Sequence, residues 1–274
     1  MAGNERSSLV PHIAPLKGTR EFKFKQSKYP HLDGMCPVRA LVIGPSGSSK
    51  TTTVTNLIVD VFADAWERTI IFSKNAKTDH AWEPVAAFLR NVKKVPEEEE
   101  IMYEDFDVQA LNKIISDQKS HIAYQKRHNY KTLHQICIVI DDWGGSPEIM
   151  RHSKGKMLQE LFLMGRHYGI NIIICLQKIT LASTVMRVNC TLLMYWKARN
   201  FSDLDKFLSE NSALVEGGKK TLMEIYKKAT EDRFSFLTIN MLSKDPSKMF
   251  MKNLEAYLVP SENHTGCAIA ISIG

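Results

Sequence analysis

Residues 44–51 read GPSGSSKT and stand between an apolar run, VRALVI (38–43), and a segment of helical spacing from Lys50 to Asp64. A strand, a Gly- and Ser-rich turn and a helix, in that order, are the context of a phosphate-binding loop. The loop and first helical turn comprise Gly44, Pro45, Ser46, Gly47, Ser48, Ser49, Lys50, Thr51 and Thr52. Their free N–H groups would face the phosphates of bound ATP. Lys50 would neutralise the β- and γ-phosphates, and the Thr51 hydroxyl would ligate Mg²⁺. The loop departs from GxxxxGK[ST] once, where Ser49 replaces the second glycine. Glycine enters positive φ at low cost and serine does not, so reduced affinity or a reshaped loop is expected there.

A second acidic position follows from the apolar run ICIVI (136–140), which ends in Asp141 and Asp142. Ligands of open α/β sheets bind at the carboxyl ends of the strands. Asp141 can therefore reach the Mg²⁺ shell, and Asp142 can polarise an attacking water as general base. The strand Ile170–Leu176 ends in Gln177, a polar tip that can sense the γ-phosphate and the water.

These positions require a sheet. Apolar strands are expected at 38–43, 69–72, 136–140, 170–176, 191–196 and 234–240, with helices near 50–64, 79–93, 107–127, 155–168, 203–214 and 217–229. Strands alternating with helices imply an α/β fold with a mostly parallel sheet covered by helices on both faces.

Composition narrows the class further. The chain has 274 residues and 44% hydrophobic residues, enough for one large α/β domain, and a net charge of +6 that permits nucleic-acid binding without requiring it. Five cysteines, at 36, 137, 175, 190 and 267, form no CxxC pair, which argues against a zinc site or disulfide framework and fits an intracellular, reducing compartment. The apolar runs are too short to span a bilayer. Residues 1–35 carry Pro11, Pro15 and Pro30 among basic residues and read as a flexible arm, either solvated or in contact with DNA or a partner. The core domain is expected over 36–258. The apolar end, 259–274, reads as an added edge strand or a loose tail. The basic stretch Lys119–Lys131 is a solvated face or a DNA contact. Trp143, Gly144 and Gly145 form a turn that either closes the strand or couples hydrolysis to movement.

The run GRHYGINIIICLQ (165–177), followed by MRVN (186–189), resembles the region after the second acidic motif in the FtsK–HerA superfamily of DNA-pumping ATPases. The Asp-Asp pair, the GRH triplet and IIFSKNAKTDHAW (70–82) are similar to its viral genome-packaging branch, and the likeness spans residues 38–240. It implies a RecA-like P-loop NTPase that hydrolyses ATP with Mg²⁺, assembles as a ring, expected to be a hexamer, around double-stranded DNA, and moves a viral genome into a preformed capsid. It also implies that Arg166 acts on the neighbouring subunit's nucleotide, with Arg187 near the subunit boundary as a second candidate. A capsid or internal-membrane vertex protein is the expected further partner, and the host cytoplasm or virion the expected location. Two alternatives remain: a degenerate nucleotide-binding switch or capsid-vertex component, which Ser49 favours, and a P-loop kinase, for which no arginine-rich lid is visible.

Overall fold

A computed structural model of the chain describes residues 22–143, 153–260 and 268–273. Its centre is a ten-stranded sheet in which six strands run parallel. The parallel strands are β2 (Arg39–Ile43), β3 (Arg68–Ser73), β4 (Met102–Tyr103), β6 (Ile136–Asp141), β7 (Ile170–Leu176) and β8 (Leu192–Trp196). The short β1 (Lys23–Phe24) and β5 (Thr132–Leu133) pair separately with each other. In the large sheet β2 lies between β7 and β8, β6 lies beside β7, and β3 and β4 follow outward.

Beyond β8 the direction alternates. The antiparallel strands β9 (Phe236–Asn240), β10 (Phe250–Lys252), β11 (Ala256–Pro260) and β12 (Ala268–Ser272) extend that side of the sheet. Of the two readings of the C-terminal segment, the structure shows the edge strand. β11 crosses residue 258, so the sheet continues past the expected domain limit.

Successive side chains of a strand point to opposite faces, so the unbroken apolar strands supply two cores. Leu41, Ile43, Ile138, Ile140, Ile172 and Ile174 line one. Ala40, Val42, Cys137, Val139, Ile173 and Cys175 line the other. The first core is closed by α3 (Val108–Arg127), α4 (Ser153–Met164), α6 (Phe201–Asn211) and α7 (Gly218–Ala229), among other segments. The second is closed by α1 (Lys50–Asn56), its π-helical continuation Leu57–Val61, and α2 (Glu83–Asn91). One short helix, α5 (Thr184–Asn189), leads into β8.

Residues 22–35, which the sequence groups with a flexible arm, lie against the domain. Leu32 and Met35 are buried in the second core, Ser27 donates to the Val61 carbonyl at 2.6 Å, and Tyr29 donates to Asp60 at 2.8 Å. The prolines and lysines of this segment conceal those two apolar anchors. Likewise β9 begins at Phe236 rather than Phe234, because Phe234 has φ 67°, outside the extended region.

Candidate functional site

The loop after β2 reaches the C-terminal edge of the sheet. Gly44 begins it with no room for a side chain: a Cβ there would lie 2.7 Å from Trp196 Cβ and 2.8 Å from Ser48 Oγ. Its N–H donates to the Leu176 carbonyl at 3.0 Å, fastening the loop to the tip of β7. The chain then turns through two left-handed residues, Gly47 at φ 74° and Ser49 at φ 71°. Ser49 immediately precedes α1 and adopts the conformation for which a glycine would be the low-strain choice. Its hydroxyl donates back to the Ser48 carbonyl. Lys50 curls over the loop and donates to the Pro45 carbonyl at 2.9 Å. Burial lowers the Lys50 pKa, although the Asp141 and Asp142 carboxylates oppose that shift.

Thr51 donates its hydroxyl to Asp141 Oδ2 at 2.9 Å. The other Asp141 oxygen accepts the Asp142 N–H at 3.0 Å. Burial, followed by the charge of Asp142, raises the Asp141 pKa above the usual carboxylate value. Asp142 has φ 60° and is exposed beyond the strand tip. Gln177 is exposed at the tip of β7 and lines a cavity of about 150 Å³ with Gly44, Pro45, Ser46 and Arg199.

Thr51 and Asp141 are adjacent hard oxygen donors, which fits Mg²⁺. Among the described residues no cluster of three or more His, Cys, Asp or Glu could hold a metal by itself. A P-loop site needs none, because phosphates and water complete the shell. Two buried hydroxyls without a hydrogen-bond partner, Ser48 Oγ in the loop and Ser73 Oγ at the end of β3, also fit a polar ligand here. Ser73 pairs in register with Asp141.

Arg166 and Arg187 are placed elsewhere. Arg166 is exposed in the turn Gly165–Tyr168 that leads into the start of β7, and its positive charge acts on Arg39, the first residue of β2. Arg187 lies on α5 just before β8 and holds Glu210 at 2.7 and 3.0 Å. Both precede parallel strands whose opposite ends carry the loop, so neither joins the P-loop of its own chain. Within Lys119–Lys131, Lys126 donates to the His167 carbonyl at 3.3 Å and Lys119 stacks on Tyr168 at 4.9 Å. Trp143 packs near Phe106 and under Lys74, while Gly144 and Gly145 lie outside the described residues.

Sequence reasoning passed over Arg199, whose guanidinium donates to the Ser46 carbonyl at 3.1 Å. The available signal was a basic residue three positions past the end of an apolar strand, on the other side of β2 from Gln177.

The P-loop on β2, the Asp141 partner on β6 and the strand order define a RecA-like P-loop ATPase. The family model for the poxvirus A32 protein matches residues 24–242. The chain belongs to that family. Solved structures are similar in fold. The DNA-packaging ATPase B204 of Sulfolobus turreted icosahedral virus superposes with a TM-score of 0.53 at 15% identity, covering 78% of this chain and 95% of that one. The genome-packaging NTPase B204 of Sulfolobus turreted icosahedral virus 2, in complex with ATP-γS, gives 0.50 at 13% identity, covering 76% and 95%. No curated protein sequence matches.

Proposed function

We propose that this ATPase works as a ring, with six subunits as the expected number, that translocates double-stranded DNA and packages a viral genome into a preformed capsid. The observation that carries the reading is the 2.9 Å contact between Thr51 and Asp141, which joins the two halves of a phosphate and Mg²⁺ site at one sheet edge. Membership of the A32 family and the fold shared with the packaging ATPase B204 support the genome-packaging task.

Catalysis rests on positioning and charge neutralisation. Lys50 exchanges the Pro45 carbonyl for the β- and γ-phosphates. Thr51 and Asp141 would hold Mg²⁺, which when bound would offset the phosphate charge. Asp142 takes a proton from the attacking water, and Gln177 orients that water. Arg166 serves the nucleotide of the neighbouring subunit, with Arg187 as the second candidate for that work. A capsid or internal-membrane vertex protein receives the motor in a host-cell factory or the virion. Among the described residues no helix is long and apolar enough to cross a membrane.

Phosphate release measured with and without duplex DNA tests the reading. DNA should stimulate turnover, and binding should weaken log-linearly with salt as Lys and Arg contacts release counterions. Absence of DNA affinity at low salt would overturn the translocase. Nucleotide binding without turnover would favour the second reading, a switch or vertex component, to which the left-handed Ser49 points.

A further inference from the structure

Two cavities lie along the P-loop and α1, and neither Asp142 nor Gln177 is among the residues that line them. One, about 230 Å³, is lined by Pro45, Ser48, Trp196 and Lys197. The other, about 480 Å³, follows α1 along Thr53, Asn56 and Leu57. The turn Asp232–Ser235 lines both. With the γ-phosphate directed at the acidic pair, the nucleoside must leave the loop on this opposite flank, and the larger cavity has the size of an ordinary small-molecule site.

Phe234 stands on the shared turn. It is 48% exposed although large and apolar, and it has φ 67°, an outlier for a bulky side chain. Its surroundings fix that backbone. Trp196 Nε1 donates to the Phe234 carbonyl at 3.1 Å, Ser235 Oγ donates to the Asp232 carbonyl at 2.9 Å, and the Phe236 N–H donates to Asn253 Oδ1 at 3.2 Å. The guanidinium of Arg233 lies 4.6 Å from the centre of the Phe234 ring. A strained backbone that holds an aromatic ring in the open, backed by a cation, is a device for presenting a flat surface.

We infer that Phe234, backed by Arg233, is the stacking platform for the nucleobase of the bound nucleoside triphosphate. The base lies between this platform and the exposed flank of α1, where Asn56, Asp232 and Glu255 offer polar partners to its edge. The inference rests on the P-loop reading, from which its test separates it.

The test compares binding of Mg·ATP with binding of Mg·tripolyphosphate, which has the phosphates and no base, by calorimetry on the full chain. Phe234→Gly removes the ring and keeps a residue suited to positive φ. It should weaken ATP about five- to a hundredfold, the range expected for loss of base–aromatic stacking. Tripolyphosphate binding should stay unchanged, and Phe234→Trp should retain ATP affinity. Arg233→Ala, at an exposed position, should give a smaller loss confined to ATP. Unchanged ATP affinity in Phe234→Gly overturns the inference, and so does an equal loss for both ligands. Lys50→Ala should weaken both ligands. If it weakens neither, the P-loop reading has failed, whatever Phe234 does.

Discussion

Thr51, on the first turn of α1, donates its hydroxyl across 2.9 Å to Asp141 at the end of β6, joining positions 90 residues apart in the chain. The carboxylate it meets is buried, and burial raises the Asp141 pKa. A raised folded-state pKa means that the protonated form is favoured on folding. In nucleotide-free protein this group's stabilising contribution is present at low pH and lost as pH rises through its folded pKa. The Mg²⁺ role proposed for Asp141 needs the ionised form, so on that proposal Mg²⁺-dependent ATP affinity should begin to fall at a higher pH than an ordinary carboxylate would give. Calorimetric Mg²⁺ titrations across the acid range check this. Asp141→Asn should abolish the Mg²⁺ dependence, and EDTA should reproduce that loss in the unmodified protein.

Ser49 at φ 71° predicts a gain from glycine. Ser49→Gly removes a left-handed non-glycine residue, whose strain is about 1–2 kcal/mol, at the loss of the hydroxyl contact to Ser48. The melting temperature should rise by a few degrees, and ATP affinity should be equal or better. A clear loss of turnover would show that the hydroxyl itself takes part in shaping the phosphate loop.

The placement of the candidate site was legible where it is local. Residues 44–51 announce their loop because glycine, lysine and threonine must follow one another directly, and Asp141 announces itself by ending an apolar strand. Gln177 was legible for the same reason. Phe234 and Arg199 were not, because each comes to this side of the sheet from a different strand or turn, and only the sheet order places β8 beside β2 and β9 beside β8. The pairs β1–β5 and β3–β4 were missed because two-residue pairings leave no periodicity in the sequence. Leu32 and Met35 are single anchors in a basic, proline-broken segment, so composition assigned that segment to solvent.

Among the described residues no hydrogen bond reaches the Asp142 carboxylate, while its N–H is held by Asp141. A general base must be free to meet water. Asp142→Asn should keep ATP affinity within about twofold and lower turnover by about 10²–10⁴, the range for loss of acid–base catalysis. Equilibrium binding and phosphate release, measured on the same preparation, separate the two effects. Wild-type turnover would remove Asp142 from the role of base.

Arg199 should behave differently. It bonds the Ser46 carbonyl of its own P-loop, so it belongs to the subunit that binds the nucleotide. Arg199→Ala should weaken ATP binding or slow turnover by about tenfold, the value of one charged hydrogen bond of roughly 1.5 kcal/mol. Mixing with subunits that keep Arg199 but lack Lys50 should give no rescue.

Arg166 makes the opposite forecast. It sits in the turn before β7, whereas its own P-loop follows the far end of the neighbouring parallel strand β2. Among the described residues its guanidinium has a hydrogen-bond partner only in His167, at 3.4 Å, which leaves its charge for the proposed role on another subunit. Arg187 is instead engaged by Glu210, with a side chain only 13% exposed. Arg166→Ala should therefore lose turnover by about 10³–10⁵, as expected for a transition-state arginine supplied in trans, with the melting temperature unchanged. Arg187→Ala should lower the melting temperature, since it leaves Glu210 without its bidentate partner. Arg166→Ala and Lys50→Ala subunits should each be inactive alone. Mixed, they should recover part of the activity at interfaces where an intact P-loop meets an intact Arg166. Native mass spectrometry of the mixture should first show that mixed rings have formed. Mixed rings without recovery would argue against action in trans, and normal turnover of Arg166→Ala alone would take the residue out of the mechanism.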